Sequence, residues 1–282
     1  MDDVAAFNQA RWRALAEADA LYTRPALNLD PAAARERVDP NGWLGALEGK
    51  RVLCLAGGGG QQSAAFALLG ARVTVVDLSE AQLERDTKAA AHYGLDVETV
   101  QADMRDLSAL EAGAYDVVQH AYSINFVLDV RVVFQQVARV IRPGGIYQLQ
   151  FANPFVHSIN PRSWDGDGYP LRQPYLDGEP IQSEDEVWVF RRGDAAGGET
   201  GSAPIPGPRE YRHALSTVVN GLAEHGFTIR RLEDVVSIYP DPEAEPGTWD
   251  HFVSIAPPWL IVWCAYEGRG MRGEERKRIG QD

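Results

Sequence analysis

The chain has 282 residues, 45% of them hydrophobic, enough to enclose one sizeable core, and no run approaches the roughly 18 uninterrupted apolar residues that crossing a bilayer requires. Its formal net charge of -13, from 40 acidic against 27 basic residues, sets up an average field that repels polyanions and argues against nucleic acid as a partner. The two cysteines, Cys54 and Cys264, each lie in an apolar run and predict packed thiols, neither a disulfide nor a metal site, while the opening MDDVAAFNQARW lacks the basic start and apolar core of a leader, so a cytoplasmic protein is expected.

In chain order, residues 4–22 carry apolar side chains at helical spacing and predict a helix lying on the core, within an N-terminal cover over 1–44. Residues 51–56 (RVLCLA) are nearly continuously apolar, as in a parallel strand covered on both faces; GGGGQQ follows, then a helix closed by Gly70 and a second strand at 72–77 (RVTVVD). Ser79, with Gln82 three residues on, predicts a capping box opening a helix that runs to about Tyr93 and ends at Gly94. A third strand is expected at 97–101 and a fourth at 115–119. A helix over 130–140 then leads through Pro143-Gly144-Gly145 to a fifth strand at 146–151. Such alternation predicts an open, doubly wound α/β sheet in a single domain, with the cofactor-binding half at 45–152.

After Phe151 the composition turns to Pro, Gly, Trp and Tyr, and 152–208 reads as an insertion on the substrate side, with an alternating strand at 186–192 and a glycine-rich loop at 193–207. Helical spacing returns over 209–225, strands follow at 227–238 and 257–267, and 268–282, with a broken basic run at 269–278, reads as a solvated tail.

The chemistry centres on Ala56-Gly57-Gly58-Gly59-Gly60. A strand that stops at glycines and turns into a helix offers backbone N–H groups and the close approach that a missing Cβ permits. Asp77 closes the second strand, where a carboxylate accepts two hydrogen bonds from a ribose diol, so an adenosine-type cofactor is expected. Asp103-Met104 follows the third strand, placed for a carboxylate on the adenine amine and a thioether on the ring face.

With Pro143-Gly144-Gly145, these motifs resemble the class I S-adenosylmethionine-dependent methyltransferases, especially the small-molecule type related to quinone-biosynthesis C-methyltransferases, over roughly residues 45–152. The resemblance implies a Rossmann-like sheet of seven strands in the order 3-2-1-4-5-7-6 with strand 7 antiparallel. It implies that 56–60 and Gln61 hold the methionine part of S-adenosyl-L-methionine, that Asp77 and Leu78 hold the ribose, that Asp103 and Met104 hold the adenine, and that His120 lies beside the methionine end or the methyl group. One departure stands out: the family pattern has an acid where this chain has Cys54 and a first glycine where it has Ala56, which implies that the cofactor's ammonium group must lean on backbone carbonyls or another acid.

Methyl transfer from a sulfonium is an in-line displacement in which the protein mainly aligns and excludes water. If the acceptor must lose a proton, His120, Tyr122 and His213 are the candidates, with His157 and His251 in loops. Trp12, Trp164, Tyr169, Tyr175, Trp188, Trp249 and Phe252 are available either to wall a planar acceptor or to give the insertion a small core. The expectation is methyl transfer to an O, N or C atom of a small metabolite, without a metal, by a monomer or homodimer. A non-catalytic S-adenosylmethionine- or S-adenosylhomocysteine-binding module and a nicotinamide-dependent dehydrogenase are the alternatives.

Overall fold

The computed structural model describes residues 2–171, 174–181, 205–235 and 240–268. The strand expected at 186–192 with Trp188, the glycine-rich loop up to residue 204, and all of the 268–282 tail but Gly268 lie outside them.

Seven strands form one sheet: β1 (Arg51–Leu55), β2 (Arg72–Asp77), β3 (Val97–Gln101), β4 (Tyr115–His120), β5 (Ile141–Ala152), β6 (Phe227–Val235) and β7 (Trp259–Tyr266). Their order is β3-β2-β1-β4-β5-β7-β6, with β7 antiparallel to both neighbours and the rest of the pairs through β5 parallel. The helices are α1 (Asp3–Glu17), α2 (Pro31–Val38), α3 (Gln62–Leu68), α4 (Glu80–Tyr93), α5 (Val130–Val140), α6 (Leu215–Glu224) and α7 (Trp249–Ile255).

Alternation along β1 shows why the sheet is buried on both sides. Leu53 and Leu55 enter a core with Phe134, Val137, Tyr147 and Val218 on the α5–α6 face, whereas Val52 and Cys54 enter another with Phe66, Val73 and Val38 on the α2–α3 face. Both cysteines are buried free thiols. Among the described residues, no helix is long and apolar enough to cross a membrane.

Five local expectations are corrected. The helix over 4–22 stops at Glu17, and a short 3-10 turn spans Leu21–Thr23. Pro143-Gly144-Gly145 does not precede β5 but bulges within it: the ladder passes from Tyr115↔Ile141 to Val117↔Ile146, and Gly144 takes φ +77. The capping box does not close, because Ser79 caps α4 without a side-chain bond and its Oγ is buried with no partner among the described residues. Residues 209–214 are not helical. Tyr211 bridges to Pro180 and exchanges backbone and amide hydrogen bonds with Asn125, so His213 sits just ahead of α6 rather than in it. Finally, His251 belongs to α7, with Trp249 and Phe252, and His157 to a 3-10 turn over Val156–Ser158, not to loops.

Candidate active site

At the carboxyl end of β1 the backbone turns through Ala56, whose φ of +46 lies in the left-handed region. There a Cβ crowds the carbonyl oxygen by about 1 kcal/mol, which explains why glycine is the family habit at this position. Beyond Gly57, three successive amides are then each bound by a carboxylate. Gly58 N–H donates to Asp77 Oδ2 (3.0 Å), Gly59 N–H to Asp86 Oδ2 (2.9 Å) and Gly60 N–H to Asp86 Oδ1 (3.0 Å), and the Ser63 hydroxyl also donates to Asp86. The expectation of free amides is therefore only partly met: two acids hold them.

Burial raises both acids. Asp77 is pushed up to about 6, against the pull of the Ser79 and Gly58 amides, and Asp86 to about 7, with the charge of Asp77 adding to the burial. Asp86 was not singled out by sequence, yet a signal existed: it falls on the buried row Gln82, Leu83, Asp86, Ala89, Ala90 of α4, an acid among residues at core spacing.

The turn leaves no room to spare. A Cβ on Gly58 would stand 2.7 Å from Gln82 Cβ and 2.8 Å from Asp77 Oδ2, and one on Gly60 would stand 2.7 Å from the Arg85 carbonyl. Gly58→Ala is expected to destabilise the fold by about 1–3 kcal/mol, read as a lower denaturant midpoint, by forcing the carboxylate off its amide. A wild-type midpoint would show that Gln82 and Asp77 can step aside.

The N-terminal cover is stitched over this turn. Ala26 N–H donates to the Gly60 carbonyl (3.1 Å), and Gln9 Nε2 donates to the carbonyl of Leu78 (2.9 Å). Gln61 spends its amide on the carbonyls of Tyr22 (2.9 Å) and Arg24 (3.0 Å), so its side chain holds the cover and does not face the crevice floor. Asp103 sits after β3 as expected, gripped by the Arg105 guanidinium (Nη2 to Oδ2 2.6 Å). The same guanidinium reaches Asp2, the N-cap of α1, and holds its carboxyl down at about 2. Met104 lies half-buried beside the core.

The proton-handling candidates are not brought together. His120 ends β4 on the α5–α6 face, wholly buried, with Nδ1 on the Tyr147 hydroxyl (2.8 Å), and burial lowers it to about 3. His213 is buried ahead of α6 and lowered by burial. Tyr122, in the turn after β4, alone stands in a path of aromatic rings that runs from the buried Phe126 to the exposed Trp249. Trp12, Phe126, Tyr122, Trp259 and Trp249 follow one another at centroid separations of 5.5, 6.0, 6.3 and 6.4 Å. Behind Tyr122 is His157, lowered to about 4 by burial, its Nε2 3.4 Å from the phenol oxygen. Trp164, Tyr169 and Phe252 pack instead with His251 and Val253 as the insertion's own small core, and Tyr175 stacks on Phe155. Among the described residues no three His, Cys, Asp or Glu side chains form a metal-holding group.

The residues fit an adenosyl sulfonium better than a dinucleotide. Two carboxylates already occupy the amides that a pyrophosphate would need and would repel it, whereas they suit a diol and a cation. Two polar atoms near the turn, Ser79 Oγ and Gln82 Oε1, are buried without a partner among the described residues and await one.

Comparison with known proteins agrees. Residues 53–149 match a family model described as a methyltransferase domain. The chain is 31% identical over 192 residues to a Bacillus subtilis protein named uncharacterized methyltransferase YbaJ, covering 67% of this chain and 70% of that one. It is 35% identical over 108 residues to the ubiquinone biosynthesis O-methyltransferase of Bordetella pertussis, covering 37% of this chain and only 45% of that enzyme. The crystal structure of an S-adenosylmethionine dependent methyltransferase from Mesorhizobium loti superposes with a TM-score of 0.59 at 22% identity, over 85% of this chain and all of that one.

Proposed function

This chain belongs to the class I S-adenosylmethionine-dependent methyltransferases, and from that membership we propose that it methylates an O, N or C atom of a small metabolite with a planar, largely apolar face. The observation that carries the reading is the double carboxylate cap on the glycine turn, Asp77 on Gly58 and Asp86 on Gly59 and Gly60. It withholds the turn's amides from an anionic ligand and sets the Asp77 carboxylate where ribose hydroxyls would bind.

In this reading Asp77 holds the ribose, Met104 and the turn after β3 flank the adenine, and Ala56 to Gly60 carry the methionine part. S-adenosylmethionine supplies a methyl carbon on a sulfonium, an electrophile that leaves a neutral thioether behind. The aromatic path from Trp12 to Trp249 would orient the acceptor for in-line attack and exclude water. Tyr122 would take a proton from an acceptor hydroxyl while passing its own to Nε2 of the neutral His157 behind it, whereas His120 and His213 are enclosed in packing.

Incubation with methyl-labelled S-adenosylmethionine and a metabolite extract, followed by mass spectrometry, tests the proposal. A labelled small molecule is expected. Tight cofactor binding with no labelled product would favour the non-catalytic module, and binding of NAD alone would end the reading.

The raised acids also set a pH dependence. Ribose hydroxyls donate to an ionised carboxylate, so affinity for S-adenosylhomocysteine should improve by about threefold to tenfold as pH rises through 6 to 7. Stability runs the other way. Both native values lie above the ordinary 3.8, so what these two protonated groups contribute is complete below that and is lost as pH climbs through about 6 and about 7. Titration calorimetry at several pH values checks the first sign, and a flat affinity would contradict it.

A further inference from the structure

The missing acid at Cys54 leaves the ammonium group of the cofactor's methionine part without its family partner. The acids nearby are already committed: Asp86 spends both oxygens on Gly59, Gly60 and Ser63, and Asp77 lies on the ribose side of the turn. Cys54 is wholly buried and its thiol is pushed well above its ordinary range by that burial, so it stays neutral.

The neighbouring strand offers a replacement. Cys54 pairs in register with Gln119 of β4, and Gln119 pairs with Gln148 of β5, so the three side chains form a row on one face of the sheet. Gln119 is 8% exposed, and its Oε1 has no hydrogen-bond partner among the described residues; nor has Oε1 of Gln148. The Gln119 oxygen lies 3.7 Å from where a Gly57 Cβ would stand, and Cys54 Cβ lies 3.6 Å from the same point. The amide therefore reaches the spot that a carboxylate on residue 54 would serve. A buried acceptor left open is costly, and a charged donor is the partner that repays it most.

We infer that the Gln119 side-chain carbonyl receives the ammonium group of the cofactor's methionine part, replacing across the β1–β4 ladder the acid that Cys54 lacks. This rests on the reading of the site as one for S-adenosylmethionine. A neutral dipole here recognises the ammonium by hydrogen bonding with less long-range attraction than a carboxylate would give.

The test is calorimetric and needs no acceptor. The probes are S-adenosylhomocysteine and 5′-methylthioadenosine, which shares the adenosine and thioether but lacks the ammonium and carboxylate. Gln119→Met keeps the shape and removes the carbonyl. It should weaken S-adenosylhomocysteine about tenfold while leaving 5′-methylthioadenosine within about twofold. Gln119→Glu, measured at pH 8, should hold or raise the preference for S-adenosylhomocysteine over 5′-methylthioadenosine, and decides the matter should the methionine variant not fold. Equal losses for both probes, no loss in Gln119→Met, or a reduced preference in Gln119→Glu would overturn the inference alone. A wild-type chain that binds neither probe would overturn the cofactor reading and the inference with it.

Discussion

Asp86→Asn is expected to lower stability by about 2–3 kcal/mol, a fall in melting temperature of roughly 4–10 °C, and to weaken S-adenosylmethionine by about tenfold to a hundredfold. Asp86 is fully buried and accepts from Gly59, Gly60 and Ser63, so every lone pair the turn uses points one way. Asparagine keeps one acceptor oxygen and turns an NH2 toward a neighbour that also donates. One amide of the glycine turn is then buried unpaired, and the turn must open to rehydrate it. Burial pushes the native acid up to about 7, towards its neutral form, which tempers the loss. Thermal melts and calorimetry read both effects. Wild-type values for both would show that the turn holds its shape without the carboxylate.

Asp77→Ala should show the opposite balance, with cofactor affinity falling about a hundredfold or more while the melting temperature moves little. Removing the side chain frees the fold from enclosing a carboxyl held at about 6, and this offsets the loss of its bonds to Gly58 (3.0 Å) and Ser79 (2.8 Å). The cofactor has no such compensation, since two ribose hydroxyls lose one shared acceptor. An affinity within threefold of wild type would remove Asp77 from the ribose role.

Much of this was legible in the chain itself. The bounds of β2 and β3 and of α5 follow from β-branched runs and caps, and the order of the sheet follows from the resemblance. What resisted prediction has common physical causes. Ser79 and Gln82 have the spacing of a capping box, but Asp77 claims the Ser79 amide first, and tertiary packing leaves both side chains waiting. Residues 209–214 carry helix-forming side chains, yet Asn125 offers their backbone a ladder across the molecule, and a non-local partner has no local signature. Gln119 and Asp86 looked like ordinary strand and helix polar residues because only the fold reveals which face they share with the glycine turn.

Adjacent residues on α4 grip two different segments, the N-terminal cover and the glycine turn. Arg85 fastens the cover through Asp19 (2.9 Å) and the Ala16 carbonyl, and Asp86 fastens the glycine turn. The cover and the turn, already joined by Ala26 and Gln61, are thereby also fixed to one another by a single helical step. A shift of α4 along its axis would have to carry the cover and the turn together, because neighbouring positions of one helical turn hold both.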